Sequence, residues 1–316
     1  MAGKGFGYGK VILFGEHFIV YGLPGIASAI SDHTIAIVEP GTKGLEFIDN
    51  RPAVEGYKET KKAEIERQMK ALAKHFKINP EKTPLKITLS GNLKAASGVG
   101  ASAALATSIA RALSQHFGLG MGDEQINEAA YEAEEAGSGT PSGIDNTCST
   151  FGGMISFRKN LEGGKNEISQ LKLKEPLKIV VASTGISQET KKVVEGVKKE
   201  KEKNPEKFSK IFREYEHVYG EALTAMEKGD IQKVGKLMSH NQKLLEEIGV
   251  SCPEIEEIIS TAKSHGALGA KLTGTGRGGL VISLAGTAEA QEKIMEAVRN
   301  KGFEATKTEL GKKVKD

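Results

Sequence analysis

Tryptophan is absent from this 316-residue chain, cysteine occurs only twice, and aromatic residues make up 5% of it. Two cysteines, Cys148 and Cys252, are too few for a disulfide framework or a structural zinc site, and they fit a reducing cytoplasm. No apolar run reaches the roughly 18 residues of a membrane span. The segment Met1 to Lys10 lacks the apolar stretch of a secretory signal. Charge of one sign is also scarce: 44 basic against 41 acidic residues leave a formal +3, too little to argue for nucleic acid. These absences predict a cytoplasmic protein with neither a membrane nor a nucleic-acid partner. A chain of this length, 38% hydrophobic and 27% charged, can bury a sizeable core and is expected to form two domains.

Glycine is what the chain has in excess, with 38 residues gathered in clusters. The most informative cluster is Lys94-Ala-Ala-Ser-Gly-Val-Gly-Ala-Ser-Ala103, a turn of small residues running into a predicted helix. Glycines let backbone approach an anion closely, and the free N–H groups and dipole of the helix start point at it. Gly98, Val99, Gly100, Ala101 and Ser102 are therefore candidate phosphate contacts, and the Ser102 hydroxyl could also ligate Mg²⁺. No G-x-x-x-x-G-K-[ST] motif occurs, and Ala103 stands where G-x-G-x-x-G needs its third glycine.

Periodicity organises the rest of the chain. Lys10 to Val20 reads as strand, glycine break, strand, and Ile26–Ile30, Thr34–Glu39 and Leu85–Ser90 read as further strands. Helices are predicted over 58–76, 102–117 and 123–136, then a loop over 137–145 and a strand over 151–157. Residues 158–175, polar and rich in glycine and lysine, mark a hairpin or a domain junction. A strand at 177–182 precedes helices at 188–203, 205–228, 231–247 and 253–265, with Asn204-Pro205 as a capped start and Gly229 as a stop. Strands at 269–273 and 280–284, a helix at 288–301 and a strand at 303–309 finish the chain. This order is not a strict βαβ alternation, so the predicted class is α+β.

Four other features bear on chemistry. Glu134 sits at the edge of the apolar arc of Ile126, Ala129, Ala130 and Ala133, either as a boundary residue or as a ligand paired with Ser102 for a hard cation. In Gly139-Thr-Pro-Ser-Gly-Ile-Asp-Asn146, Asp145 is a turn former or a base held in a rigid Pro/Gly frame. Lys10, next to the first apolar strand, could pair with Asp145 and neutralise charge on a transferring phosphoryl group. Lys271-Leu-Thr-Gly-Thr-Gly-Arg-Gly-Gly-Leu280 holds more glycine than a hairpin needs, which suggests a second loop facing phosphate or substrate, Gly276 included.

Together these segments resemble the GHMP kinase family. Its K-[IV]-x-L-x-G-E-H opening matches Lys10 to His17, its G-L-G-S-S-A loop resembles Gly98 to Ala103, and its K-x-T-G-[AS]-G-x-G-G resembles Lys271 to Gly279. Residues 15–22 and 141–146 resemble the members that phosphorylate mevalonate. The resemblance implies a two-domain α+β fold. Its N-terminal ATP-binding domain, over 1–174, would be like the second domain of ribosomal protein S5. Its C-terminal domain, over 175–316, would be ferredoxin-like with extra helices. It also implies ATP and Mg²⁺, Asp145 as base with Lys10 beside it, and Ser102 and Glu134 on the metal. Glu16, His17 and Thr184 would face the acceptor, and a homodimer is compatible with the family. The matched residues also admit another small hydroxyl or phosphorylated acceptor, or a nucleotide sensor without catalysis. The chain departs from the family pattern at Lys94, Ala96, Ala101, Gln188, Arg277 and Leu280.

Overall fold

The computed structural model describes residues 2–53, 56–95, 98–138 and 141–311, so Ala96, Ser97, Gly139 and Thr140 of the two loops above lie outside the described residues. Contacts group the chain into two compact units, one of residues 1–10 and 29–152, the other of 11–28 and 153–316. Strands β1 (Gly3–Phe14) and β2 (Pro24–Pro40) contribute residues to both.

In the first unit, Thr34–Pro40 of β2 pairs antiparallel with β4 (Leu85–Gly91), and β3 (Leu45–Asp49) pairs parallel with β4. Helices α1 (Tyr57–His75), α2 (Ala101–His116) and α3 (Asp123–Ser138) close one core with this sheet. Ile65, Met69 and Leu72 of α1 meet Leu105, Ile109 and Leu113 of α2 and Ile126, Ala129, Ala130 and Ala133 of α3 there, the rows that helical periodicity predicts. The N-terminal strand has its own device. A Cβ at Gly3, Gly5 or Gly7 would fall 2.1–2.2 Å from the carbonyl oxygens of Ala112, Ser108 and Ala104. A step of two along the strand therefore matches a step of four along α2, and only glycine lets the two backbones lie this close.

In the second unit, β7 (Leu177–Ser183), β8 (Ala267–Thr273), β9 (Leu280–Ala285) and β10 (Glu304–Leu310) form an antiparallel sheet in the order β10-β7-β9-β8. With α9 (Ala288–Asn300) between β9 and β10, this is ferredoxin-like connectivity, elaborated by four helices between its first two strands. They are α5 (Thr190–Lys203), α6 (Pro205–Lys228), α7 (Ile231–Glu247) and α8 (Pro253–Ser264). Pro24–Ser28 of β2 pairs antiparallel with β5 (Met154–Arg158), and β5 with β6 (Glu167–Leu171), which continues the sheet of β3, β4 and β2, so 158–175 does carry a hairpin strand.

Three local readings need correction. The second strand expected before Val20 is a 3₁₀ turn over Ile19–Tyr21, after a sharp bend in which Gly15 and His17 both take positive φ. Phe18 is turned inward there, stacked 4.0 Å from the ring of Tyr215. Residues 144–151, expected as loop as far as 145 and as strand from 151, form the helix α4 (Ile144–Phe151). Pro205 does open α6, but Asn204 does not cap it; its amide turns back to Glu200, 3.3 Å away.

Candidate active site

In the first unit, β1 delivers Lys10 to the glycine loop. The Lys10 backbone N–H donates to the Val99 carbonyl at 2.7 Å. Gly100 has φ 77°, and a Cβ there would come 3.0 Å from Lys10 Cγ, so glycine serves both the left-handed turn and the passage of the lysine stem. α2 begins immediately after it with no side chain capping its first turn, which leaves the N–H groups at Ala101 and Ser102 available to an anion. Gly98 is exposed and Val99 is buried.

The Lys10 ammonium, on a residue 5% exposed, lies 3.4 Å from Asp145 Oδ1. Asp145 stands in the first turn of α4, behind Gly143 at φ 93°. One turn on, Cys148 is fully buried, and burial pushes its thiol well above the usual range, with Asp145 adding to the effect. The thiol is therefore inert at neutral pH.

Ser102 and Glu134 also meet. Ser102 Oγ donates to Glu134 Oε1 at 2.6 Å. Gln68 of α1, which pattern reading passed over, donates from the same Nε2 to Glu134 Oε1 (2.6 Å) and Ser102 Oγ (2.8 Å). Burial pushes the Glu134 carboxyl up to about 7; the hydrogen bonds from Ser102 and Gln68 oppose this, and the charges of Asp145 and Glu64 reinforce it. Such a carboxyl gains by facing a cation. Among the described residues no group of three or more His, Cys, Asp or Glu side chains could hold a metal. The oxygens of Ser102 and Glu134 are nevertheless hard donors of the kind Mg²⁺ takes beside phosphate oxygens, so this pair fits the cation. Arg51, also unanticipated, forks onto Asp49 (3.0 and 2.8 Å) and donates to the Ala101 carbonyl at 3.1 Å, bracing the start of α2.

The second unit joins the two outer motifs. Ile12 N–H donates to Thr273 Oγ1, and that hydroxyl donates back to the Ile12 carbonyl, each at 3.0 Å. Lys271, fully buried, reaches Glu16 Oε1 at 2.5 Å and the Leu272 carbonyl at 2.6 Å. Burial pulls the Lys271 ammonium below the usual lysine range, against the pull of Glu16. His17 has φ 62°, and its Nε2 lies 2.7 Å from the Thr275 carbonyl. A carbonyl can only accept, so Nε2 carries the proton, and in the neutral ring Nδ1 is left as an acceptor. Burial lowers the His17 pKa, the Thr275 bond opposes that, and the Arg277 charge lowers it further.

Thr184 N–H and Oγ1 both donate to the Gly279 carbonyl, at 2.9 and 3.0 Å. Gly276 has φ 77°, and a Cβ there would fall 2.3 Å from the Val250 carbonyl oxygen. Arg277 takes φ 53° in the same loop, its N–H bonded to Val250 O (2.6 Å) and its Nε to Gly249 O (3.1 Å). That side chain therefore ties down the loop.

Residues 64–153 match the family model for the GHMP kinase N-terminal domain, and 222–304 that for GHMP kinases C terminal. Over 96% of its length the chain is 35% identical to a mevalonate kinase of Thermococcus gammatolerans, of which it covers 94%. It is 31% identical to that of Aeropyrum pernix, with 98% of this chain and 97% of the other aligned. Among solved structures, L. major mevalonate kinase in complex with R-mevalonate superposes with a TM-score of 0.91 at 39% identity, covering 98% of this chain and 95% of that one. Full-length similarity of this order, with both family domains in place, shows that the chain belongs to the GHMP kinase family and is similar throughout to its mevalonate kinases.

Proposed function

We propose that this protein transfers the γ-phosphoryl group of ATP to the primary hydroxyl of mevalonate, forming 5-phosphomevalonate for isoprenoid synthesis. The observation that carries the chemistry is the Lys10–Asp145 pair, with the same Lys10 hydrogen-bonded through its backbone to the glycine loop. Phosphoryl transfer passes through a loose transition state, so alignment and charge stabilisation supply most of the acceleration. Gly98 to Ser102 and the uncapped start of α2 hold the phosphates. Asp145 orients the acceptor hydroxyl and takes its proton, and Lys10 neutralises charge on the moving phosphoryl group. Ser102 and Glu134 would hold Mg²⁺, which when bound offsets phosphate charge. His17 and Thr184 are assigned to the acceptor, with Glu16 acting through Lys271, and Gly276 to the nucleotide. The two family domains lie on either side of the proposed division at 174/175.

Mevalonate as the acceptor is supported by the relatives, which bear that activity across nearly their whole lengths. ADP release with Mg²⁺-ATP, measured in parallel on mevalonate, 5-phosphomevalonate, galactose and homoserine, tests the reading. Turnover confined to mevalonate is expected. Turnover on one of the others instead would keep the family and overturn the substrate.

A further inference from the structure

Gln68 lies on the buried face of α1 with Ile65, Met69 and Leu72, at the edge of their arc, and is 1% exposed. Its amide nitrogen lies within hydrogen-bond distance of both Ser102 Oγ and Glu134 Oε1 and donates to the two oxygens. With the bond from Ser102 to Glu134, the three side chains close a triangle built from three different helices. Gln68 Oε1 is buried with no hydrogen-bond partner among the described residues. A buried amide normally avoids that state, because its oxygen has given up water and gained nothing in exchange. The orientation persists because the opposite one would aim Oε1 at two oxygens. Neighbouring residues are shaped to keep it. A Cβ at Gly137 would fall 2.9 Å from Gln68 Cγ and 3.0 Å from Nε2. The adjacent Arg67 donates to the Ala136 and Gly137 carbonyls (3.0 and 2.8 Å), pinning α1 against the end of α3.

We propose that Gln68 is a positioning residue of the cation site, its amide setting the spacing and orientation of Ser102 Oγ and Glu134 Oε1 before Mg²⁺ arrives. The inference rests on the reading of Ser102 and Glu134 as cation ligands. A neutral donor suits this task. Lysine or arginine here would pair with Glu134 and compete with the cation, whereas an amide orients both oxygens and adds no positive charge. Residues that orient metal ligands are typically worth about 10- to 100-fold in affinity.

The test is Mn²⁺ binding, followed by electron paramagnetic resonance in the presence of a non-hydrolysable ATP analogue, for wild type, Gln68→Met, Gly137→Ala and Glu134→Gln. Gln68→Met keeps the length of the side chain and removes both donors. It should weaken Mn²⁺ about tenfold or more, and raise the apparent KM for Mg²⁺ by more than it lowers kcat at saturating Mg²⁺. Gly137→Ala leaves the amide in place but crowds it, and should weaken Mn²⁺ in the same direction, which keeps the test open if Gln68→Met does not fold. Unchanged Mn²⁺ affinity in the Gln68 and Gly137 variants, beside a weakened Glu134→Gln, would overturn the role of Gln68 alone. Unchanged affinity in Glu134→Gln as well would overturn the cation site with it.

Discussion

Removing the charge of Glu134 should stabilise the metal-free protein, and only at neutral and alkaline pH. Burial holds this carboxyl at about 7, against an ordinary value of 4.5, because its ionised form has lost water. A difference of that size corresponds to about 3 kcal/mol between the two protonation states. Between pH 4.5 and 7 the folded chain keeps a proton that the unfolded chain has released, so stability falls as pH rises through that window. Above it the whole penalty is present; below it none is. Glu134→Gln replaces the carboxylate with a neutral group of the same shape that can still accept from Ser102 and Gln68. Urea denaturation in EDTA at pH 5 and at pH 8 should show the variant about equal to wild type at the first and up to about 3 kcal/mol more stable at the second. An equal change at both pH values would refute the reasoning, since packing and not ionisation would then control the site.

Three other outcomes follow from the geometry. Glu16→Leu or Lys271→Met alone leaves one fully buried charge without its partner and should cost about 3–5 kcal/mol, whereas the double variant should recover most of it; a strictly additive double in urea denaturation would count against a coupled pair. The lowered pKa of His17 means that the unfolded chain takes up a proton near pH 6.5 before the folded chain does, so stability is lost as pH falls below that value. His17→Gln should flatten the fall between pH 6.5 and 5 relative to wild type, and an unchanged slope would contradict a buried neutral ring. Gly276→Ala places a Cβ against the Val250 carbonyl at positive φ and should lower stability by at least about 1 kcal/mol from backbone strain alone; a neutral effect on the thermal midpoint would show that the loop relaxes freely.

Some of this site was legible because its chemistry and its local backbone coincide. Glycine at 98 and 100, next to an apolar helix, reads as an anion loop, and both residues do take positive φ. Glu134 could be placed at the edge of an arc from the spacing of Ile126, Ala130 and Ala133 alone. The meeting of Lys10 with Asp145, 135 positions apart by their numbers, is suggested by their chemistry and by the family pattern, not by periodicity.

What stayed hidden depends on tertiary packing. Ile144–Phe151 is rich in threonine, asparagine, serine and cysteine, weak helix formers whose side chains are here largely buried, so propensity gave no hint of α4. Phe18-Ile19-Val20 reads as strand, yet the bend at Gly15–His17 and the stacking of Phe18 on Tyr215 make it a turn. Gln68 did leave a trace, as an amide on a helix face otherwise filled by Ile65, Met69 and Leu72. A polar residue in that row signals a buried partner, though not which one. Arg51 left no sign of its reach to α2, since that contact is with the Ala101 backbone carbonyl.

That Asp145 handles the hydroxyl as this chain phosphorylates mevalonate is the step on which the proposed function stands. It is tested most directly by a single turnover of γ-labelled ATP with mevalonate, comparing wild type with Asp145→Asn and identifying the labelled product. Wild type should give 5-phosphomevalonate, and the variant, which still binds ATP, a rate lower by about 10²–10⁴. Near-wild-type transfer by Asp145→Asn, or label appearing only as inorganic phosphate in the wild type, would contradict it.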